Sequence, residues 1–281
     1  MTAANEDLRQ AYVELLKRSL LGLTMAPAKW YRPIERASNP VETAVAHALQ
    51  RRGKGVLARP VTVDMAGNVD GTMNVAFLPP GILSMIGSTR MNNVTRCVQS
   101  VVTDGVPGDL IETGVWRGGT SIFMRGLLRA HGVADRTVYA ADSFRGLPTP
   151  DPERYPADRG IETGGWPELA VSVDEVRANF ARYDLLDNQV EFLEGWFRDT
   201  LPGLRGHRWS LLRLDGDLYE STMDALINLY PNLSPGGWVI VDDHSIPACA
   251  QAVADYRAEH NIDEPIETID WTGVCWQKKR S

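Results

Sequence analysis

The sequence predicts an α/β fold, a doubly wound and mostly parallel sheet with helices on both faces. Three observations carry that prediction. From residue 109 onward, short apolar runs alternate with segments of helical period, the pattern that parallel strand–helix–strand units leave in a chain. Several of those runs end in an acidic residue, at Asp142, Asp215 and Asp242. The last two stand 27 residues apart (242 − 215). That is room for one crossover, which returns both strand ends to the same edge of the sheet.

The elements follow in order. Residues 6–23 place Leu8, Tyr12, Leu15, Leu16, Leu20 and Leu23 near one helical face, suited to packing on the domain or on a partner subunit. Residues 24–80 carry prolines, glycines and the basic stretch 51–55 with little periodicity, which predicts loops and at most one weak hairpin. Residues 89–103 read as an amphipathic helix, stopped by the breaker at 104–108. A strand at 109–113, a helix at 120–131 and a strand at 137–142 come next. Ser172 and Glu175 form a capping box that opens a helix running to about Tyr183. Strands at 189–194 and 209–215, a helix at 221–230, a strand at 238–242 and a helix at 247–260 complete the alternation. Residues 266–270 and 273–277 suit a closing antiparallel hairpin. The chain thus divides into an N-terminal extension of helix and loops, 1–85, and a core, 86–281. The link 144–170 is rich in Pro, Gly, Asp and Glu and leaves a strand end. It is either a lid over the ligand edge or a surface loop, and Tyr155 and Trp166 favour the lid.

With 281 residues and 43% hydrophobic content, the chain fits one large α/β domain with extensions, or at most two domains. A formal net charge of −7 without a dense Lys/Arg patch argues against a nucleic-acid partner. Cys97, Cys249 and Cys275 lack metal-ligand spacing and suit reduced thiols. No run reaches the roughly 18 apolar residues of a membrane span. The N-terminus lacks the basic region of a secretory signal. The expectation is a cytoplasmic protein without membrane or nucleic-acid partners.

At the shared sheet edge, the acidic residues of 215–217 and 242–243 converge, and bare carboxylates repel one another there. A hard divalent cation, Mg²⁺ or Ca²⁺, relieves that repulsion and prefers oxygen ligands. The turn 112–121 holds glycines at 114, 118 and 119 ahead of Thr120 and Ser121. Its spacing differs from the dinucleotide Gly-x-Gly-x-x-Gly. The helix end suits a small anion better than a pyrophosphate, for instance the carboxylate of S-adenosylmethionine. Asp142 ends the second core strand, where an acid accepts ribose hydroxyls in dinucleotide folds; its alternative is a cap or turn residue. Trp196 and Phe197 either flank an adenine ring or belong to the core.

Five motifs carry a family resemblance: Ile-Glu-Thr-Gly-Val-Trp-Arg-Gly-Gly (111–119), Ala-Asp-Ser-Phe-Arg-Gly-Leu-Pro (141–148), Gly-Trp-Phe-Arg-Asp-Thr-Leu-Pro (195–202), Leu-Arg-Leu-Asp-Gly-Asp-Leu-Tyr-Glu-Ser-Thr (212–222) and Gly-Gly-Trp-Val-Ile-Val-Asp-Asp (236–243). In this order, over roughly 86–278, the chain resembles the macrocin-type O-methyltransferases, which methylate deoxysugar hydroxyls on antibiotics. The resemblance implies a class I, Rossmann-like methyltransferase fold, S-adenosylmethionine and Mg²⁺ as cofactors, a small glycosylated acceptor and a homodimer or higher oligomer. It implies Asp215, Asp242 and Asp243 as metal ligands and Asp217 as general base. Glu112, Thr113, Gly114, Ser121, Asp142, Ser143, Gly195 and Trp196 are the implied contacts of the methyl donor. His244 departs from the family pattern after the Asp-Asp pair and stands as a second candidate base or as a polar residue opening a loop. Asp217 and Ser221 compete as caps of the turn between them. Segment 25–80 is the expected seat of substrate choice. Two rival activities are methylation of a catechol-like phenol and, less favoured, NAD-dependent oxidoreduction.

Overall fold

The computed structural model describes residues 3–24, 30–33, 58–61, 78, 81–164 and 166–280, with the backbone alone at 3, 30–33 and 58–61. The chain opens with helix α1 (Ala3–Leu20), strands β1 (Trp30–Pro33) and β2 (Ala58–Val61), and helix α2 (Gly87–Thr103). The core continues as β3 (Asp109–Thr113), α3 (Gly119–Ala130), β4 (Val138–Asp142), α4 (Val173–Arg182) and β5 (Val190–Glu194). After the short α5 (Phe197–Thr200) come β6 (Trp209–Leu214), α6 (Tyr219–Leu229), β7 (Leu233–Val241), α7 (Pro247–Glu259), β8 (Glu267–Thr268) and β9 (Val274–Gln277).

Seven strands form one sheet in the order β5-β4-β3-β6-β7-β9-β8. The first five are parallel, and β9 pairs antiparallel with both β7 and β8. The strand interiors alternate between two apolar layers. Leu110, Ala140, Leu211 and Ile240 face Met91, Val98, Phe123 and Phe180. Ile111, Ala141, Leu212 and Val239 face Leu226, Leu229, Val253 and Tyr256. A sheet buried on both faces needs such a run of apolar residues, which is why the strands read so clearly. At roughly 25 cal/mol per Å² of apolar surface removed from water, these two layers hold the sheet between its helices.

Several boundaries differ from the sequence reading. Strand β7 begins at Leu233, five residues before 238, because Pro235-Gly-Gly reads as a breaker. The strand absorbs it by a register jump: Trp209 pairs with Leu233, and Leu211 with Trp238. A Cβ at Gly237 would stand 2.9 Å from the Ser210 carbonyl oxygen, so this irregularity needs glycine. Helix α6 starts at Tyr219 rather than 221. Ser172 Oγ accepts from the Glu175 amide at 3.3 Å, half of the expected capping box. The apolar residues of α1 do not share one buried face: Leu16 and Leu20 pack on the domain, while Leu8 and Leu15 are 69% and 61% exposed. Within 25–80, β1 and β2 pair antiparallel, Trp30 opposite Val61. The remainder of that stretch except residue 78, with the expectation about substrate choice placed on it, lies outside the described residues. Among the described residues, no helix is long and apolar enough to cross a membrane.

Candidate active site

The chain winds outward from β3 through β4 to β5 on one side and from β6 to β7 on the other. Where winding reverses, the loops leaving neighbouring strands part and open a crevice at the carboxyl ends. A cavity of about 470 Å³ occupies that crevice. Asp215, Asp217, Asp242 and Asp243 line one part of it, and Gly114, Asp142, Ser143 and Trp196 another. From the link after β4, Ile161, Glu162, Thr163, Trp166 and Leu169 also line it.

Ladder bonds carried past the strand ends fix the acidic groups. The Asp215 amide donates to the Thr113 carbonyl at 2.8 Å, and the Asp242 amide to the Leu214 carbonyl at 2.9 Å. Carboxylate oxygens of Asp215, Asp242 and Asp243 all lie within 4.8 Å of one another. Asp217 sits in the left-handed region at φ 58°, and its amide donates to Asp243 Oδ2 at 3.3 Å. A non-glycine residue held there is a local strain that the surrounding contacts impose. Removal from water and the charges of Asp215 and Asp242 push the Asp217 carboxyl up to about 7. The same desolvation, then the neighbouring acids Asp217, Asp215 and Asp242, raise Asp243 well above the carboxylate range. Asp215 rises for the same reasons, partly offset by Arg213. Acids that resist ionising together form a site that a hard cation relieves.

Beneath this cluster lies Arg213, 1% exposed. Its Nη1 reaches Glu112 Oε1 at 2.6 Å and Asp215 Oδ2 at 2.7 Å, and its Nη2 reaches Asp242 Oδ1 at 2.6 Å. Burial disfavours the guanidinium charge, but Asp242, Asp215 and Glu112 outweigh it and hold Arg213 firmly protonated. Arg90 binds the other Asp242 oxygen, Oδ2, and Asp270 at 3.1 Å. Glu112 also accepts from Ser121 Oγ; burial outweighs its ion pair and leaves it raised to about 7. Arg213 lies in the motif 212–222, yet the sequence reading assigned it no role. The available signal was a lone charge between Leu212 and Leu214 in a run otherwise buried, where a cation must be paired. Arg90 sits on an amphipathic helix and gave no comparable signal.

Asp142 organises the glycine turn. Its Oδ2 accepts from the Val115 amide at 2.7 Å and the Trp116 amide at 3.3 Å, and its Oδ1 from the Phe144 amide at 2.7 Å. Asp142 is therefore a turn organiser, the second of the readings considered for it, and it also lines the cavity. At Gly114, φ is +92° and a Cβ would lie 1.7 Å from the Asp215 carbonyl oxygen. Gly114→Ala is expected to destabilise the protein by roughly 2–4 kcal/mol, the sum of overpacking and left-handed strain. Urea unfolding measures it; a loss under roughly 0.5 kcal/mol would contradict the close approach of the two turns.

Four of the expected donor contacts, Gly114, Asp142, Ser143 and Trp196, line the cavity; Glu112, Thr113, Ser121 and Gly195 do not. His244 lines a separate depression with Pro247, Ala250 and Ile266, and partial burial lowers its pKa. Phe197 lines the cavity beside Trp196 and also packs on the second apolar layer. Arg198 and Glu220, paired at 3.2 Å, line the cavity without a sequence signal of their own. Near them Asp224 is raised to about 6, first by burial and then by Glu220. Its folded pKa exceeds its ordinary 3.8. It therefore contributes stability below about pH 4 that is lost as pH rises through about 6. Asp224→Asn is expected to match the wild type in thermal unfolding near pH 4 and to exceed it above pH 6. A lower melting temperature at pH 7.5 would refute this.

Comparison with known proteins agrees with the geometry. The family model described as macrocin-O-methyltransferase matches residues 9–278. The chain is 46% identical over 275 residues to 8-demethyl-8-(2,3-dimethoxy-alpha-L-rhamnosyl)-tetracenomycin-C 4'-O-methyltransferase of Streptomyces olivaceus, covering 97% of this chain and 94% of that protein. It is 53% identical over 204 residues to demethyldecarbamoylnovobiocin O-methyltransferase of Streptomyces niveus, 72% of this chain and 78% of the relative. The solved structure of the O-methyltransferase NovP superposes with a TM-score of 0.76 at 42% identity, over 97% of this chain and all of that one. These relatives and the sheet topology define a class I methyltransferase fold, and the chain belongs to the macrocin O-methyltransferase family.

Proposed function

We propose that this enzyme moves a methyl group from S-adenosylmethionine to a sugar hydroxyl of a glycosylated natural product, with Mg²⁺ held by Asp215, Asp242 and Asp243. The observation that carries the proposal is the convergence of those three carboxylates beside Asp217 in the cavity. The relatives named as O-methyltransferases of a rhamnosyl-tetracenomycin and of demethyldecarbamoylnovobiocin support the acceptor class. The all-oxygen donor set suits a hard cation. A bound Mg²⁺ supplies a lowered hydroxyl pKa and a fixed position for the acceptor oxygen.

The protein's own groups do the rest. Gly114 lets the backbone approach the donor, and Asp142, Ser143 and Trp196 face the donor's nucleoside. Glu112, Thr113, Ser121 and Gly195 support that wall from behind. Asp217 accepts the hydroxyl proton, and the oxygen bonds to the methyl carbon as the carbon–sulfur bond breaks. The link 144–170 shields the reacting groups from water. The proposal includes a homodimer or higher oligomer in the cytoplasm. The exposed stripe of Leu8, Tyr12 and Leu15 on α1 supports self-association.

The test is calorimetric titration of S-adenosylmethionine and S-adenosylhomocysteine with and without Mg²⁺, followed by an acceptor panel of rhamnosylated polyketides and a catechol. Saturable binding of both ligands and Mg²⁺-dependent methylation of a sugar hydroxyl are expected. Methylation of the catechol alone, or binding of neither ligand by folded protein, would overturn it.

A further inference from the structure

The link after β4 closes on itself at its base. Ser143 Oγ donates to the Gly146 carbonyl at 2.6 Å, and Gly146 lies against Ala170, so the two ends of the loop meet. Near its return, Trp116 Nε1 donates to the Glu168 carbonyl at 2.9 Å, tying the link to the glycine turn. Its middle reaches the other side of the crevice. There Asp158, fully buried at 0% exposure, accepts from the Tyr219 amide at 2.6 Å through Oδ1 and from the Glu220 amide at 3.1 Å through Oδ2. These are the first two residues of α6, whose own N-cap, Leu218, makes no side-chain cap bond. Tyr155 adds a ring contact with Tyr219, centroids 6.1 Å apart. A helix start leaves amides without partners, and a carboxylate satisfies them and the positive end of the dipole together. Here the carboxylate comes from about 60 residues away, and it sits just before Ile161–Thr163, which line the cavity.

We propose that Asp158 is a positioning residue that latches the link over the cavity by capping α6 from outside that helix. The helix begins two residues after Asp217, so the same bond that holds the link down holds the start of the helix that anchors the acidic turn. Closure of the cavity and placement of Asp217 are thereby one event. The coupling to turnover rests on the methyltransferase reading; the latch itself does not.

The experiment uses the full chain and two readouts, tryptic cleavage after Arg154 and Arg159 within the link, and the dissociation rate of S-adenosylhomocysteine. Asp158→Ala should speed both by about tenfold, the scale of a lost charged cap, while the core fragments stay intact. Asp158→Asn keeps Oδ1 as an acceptor and should fall between. Glu153→Ala, an exposed acid of the same link, should match the wild type. Wild-type rates in Asp158→Ala overturn the latch. So does an Asn variant no better than Ala, or cleavage spreading equally through the core. If Asp158→Ala fails to fold, the Asn variant alone decides. If the wild type does not bind S-adenosylhomocysteine yet the cleavage pattern holds, the latch stands and the methyl-donor reading falls.

Discussion

Arg213→Met is expected to lower stability by about 3–5 kcal/mol near pH 8, the scale of an ion pair broken in the interior. Few domains tolerate such a loss, since the whole stability is typically about 5–15 kcal/mol. The methionine fills much of the volume, so the effect is electrostatic. Glu112, Asp215 and Asp242 each lose a partner at 2.6–2.7 Å, and Glu112, at 1% exposure, cannot turn to water. Glu112 and Asp215, already raised in the wild type, then favour the protonated form even more strongly. A raised folded pKa makes its contribution at low pH and loses it as pH rises. The deficit should therefore shrink by pH 5.5, where protons replace the missing cation. Arg213→Lys keeps a charge but lacks the planar fork that reaches three carboxylates at once, and should recover only part. Urea titrations of the three proteins at the two pH values settle the matter. A deficit below about 1 kcal/mol, or one that grows on acidification, would show that Arg213 is not the counter-charge of this site.

That arginine marks where the sequence stopped being readable. The central strands were legible because burial on both faces forces continuous apolar runs, and the breaks between them fall at acidic strand ends. The placement of Asp215, Asp242 and Asp243 followed from topology alone, since parallel crossovers return strand ends to one edge. Partners from distant segments were not legible. Asp158 meets Tyr219 across 61 positions, and Arg90 meets Asp242 across 152; no local spacing encodes such pairs. His244 shows the converse limit. It adjoins Asp243 in sequence, yet the turn after β7 sends it to a different depression. The start of β7 was hidden because Pro235-Gly-Gly signals a turn unless the bulge opposite Trp209 is already known. The link 144–170 carried lid-like composition, but only its two anchors show how it spans the crevice.

Asp217→Asn and Asp215→Asn should separate two roles that sequence proximity blurs. Both side chains line the cavity, and both amides are neutral and of similar size, so packing changes little. Asp215 belongs to the triad whose oxygens lie within 4.8 Å of one another, and Asp217 stands outside it. Loss of one ligand charge from the triad should weaken Mg²⁺ binding by roughly 10–100-fold in calorimetry, with turnover recovering in part at high Mg²⁺. Loss of the base should leave Mg²⁺ and S-adenosylmethionine binding near the wild type. It should reduce kcat by roughly 10²–10⁴, the usual contribution of a positioned proton acceptor, with no recovery at high Mg²⁺. Burial and the charges of Asp215 and Asp242 push the Asp217 carboxyl up to about 7. If Asp217→Asn lost Mg²⁺ affinity as Asp215→Asn does, Asp217 would be a fourth ligand. The proton would then have to leave by another route, and His244 lines a different depression from these acids.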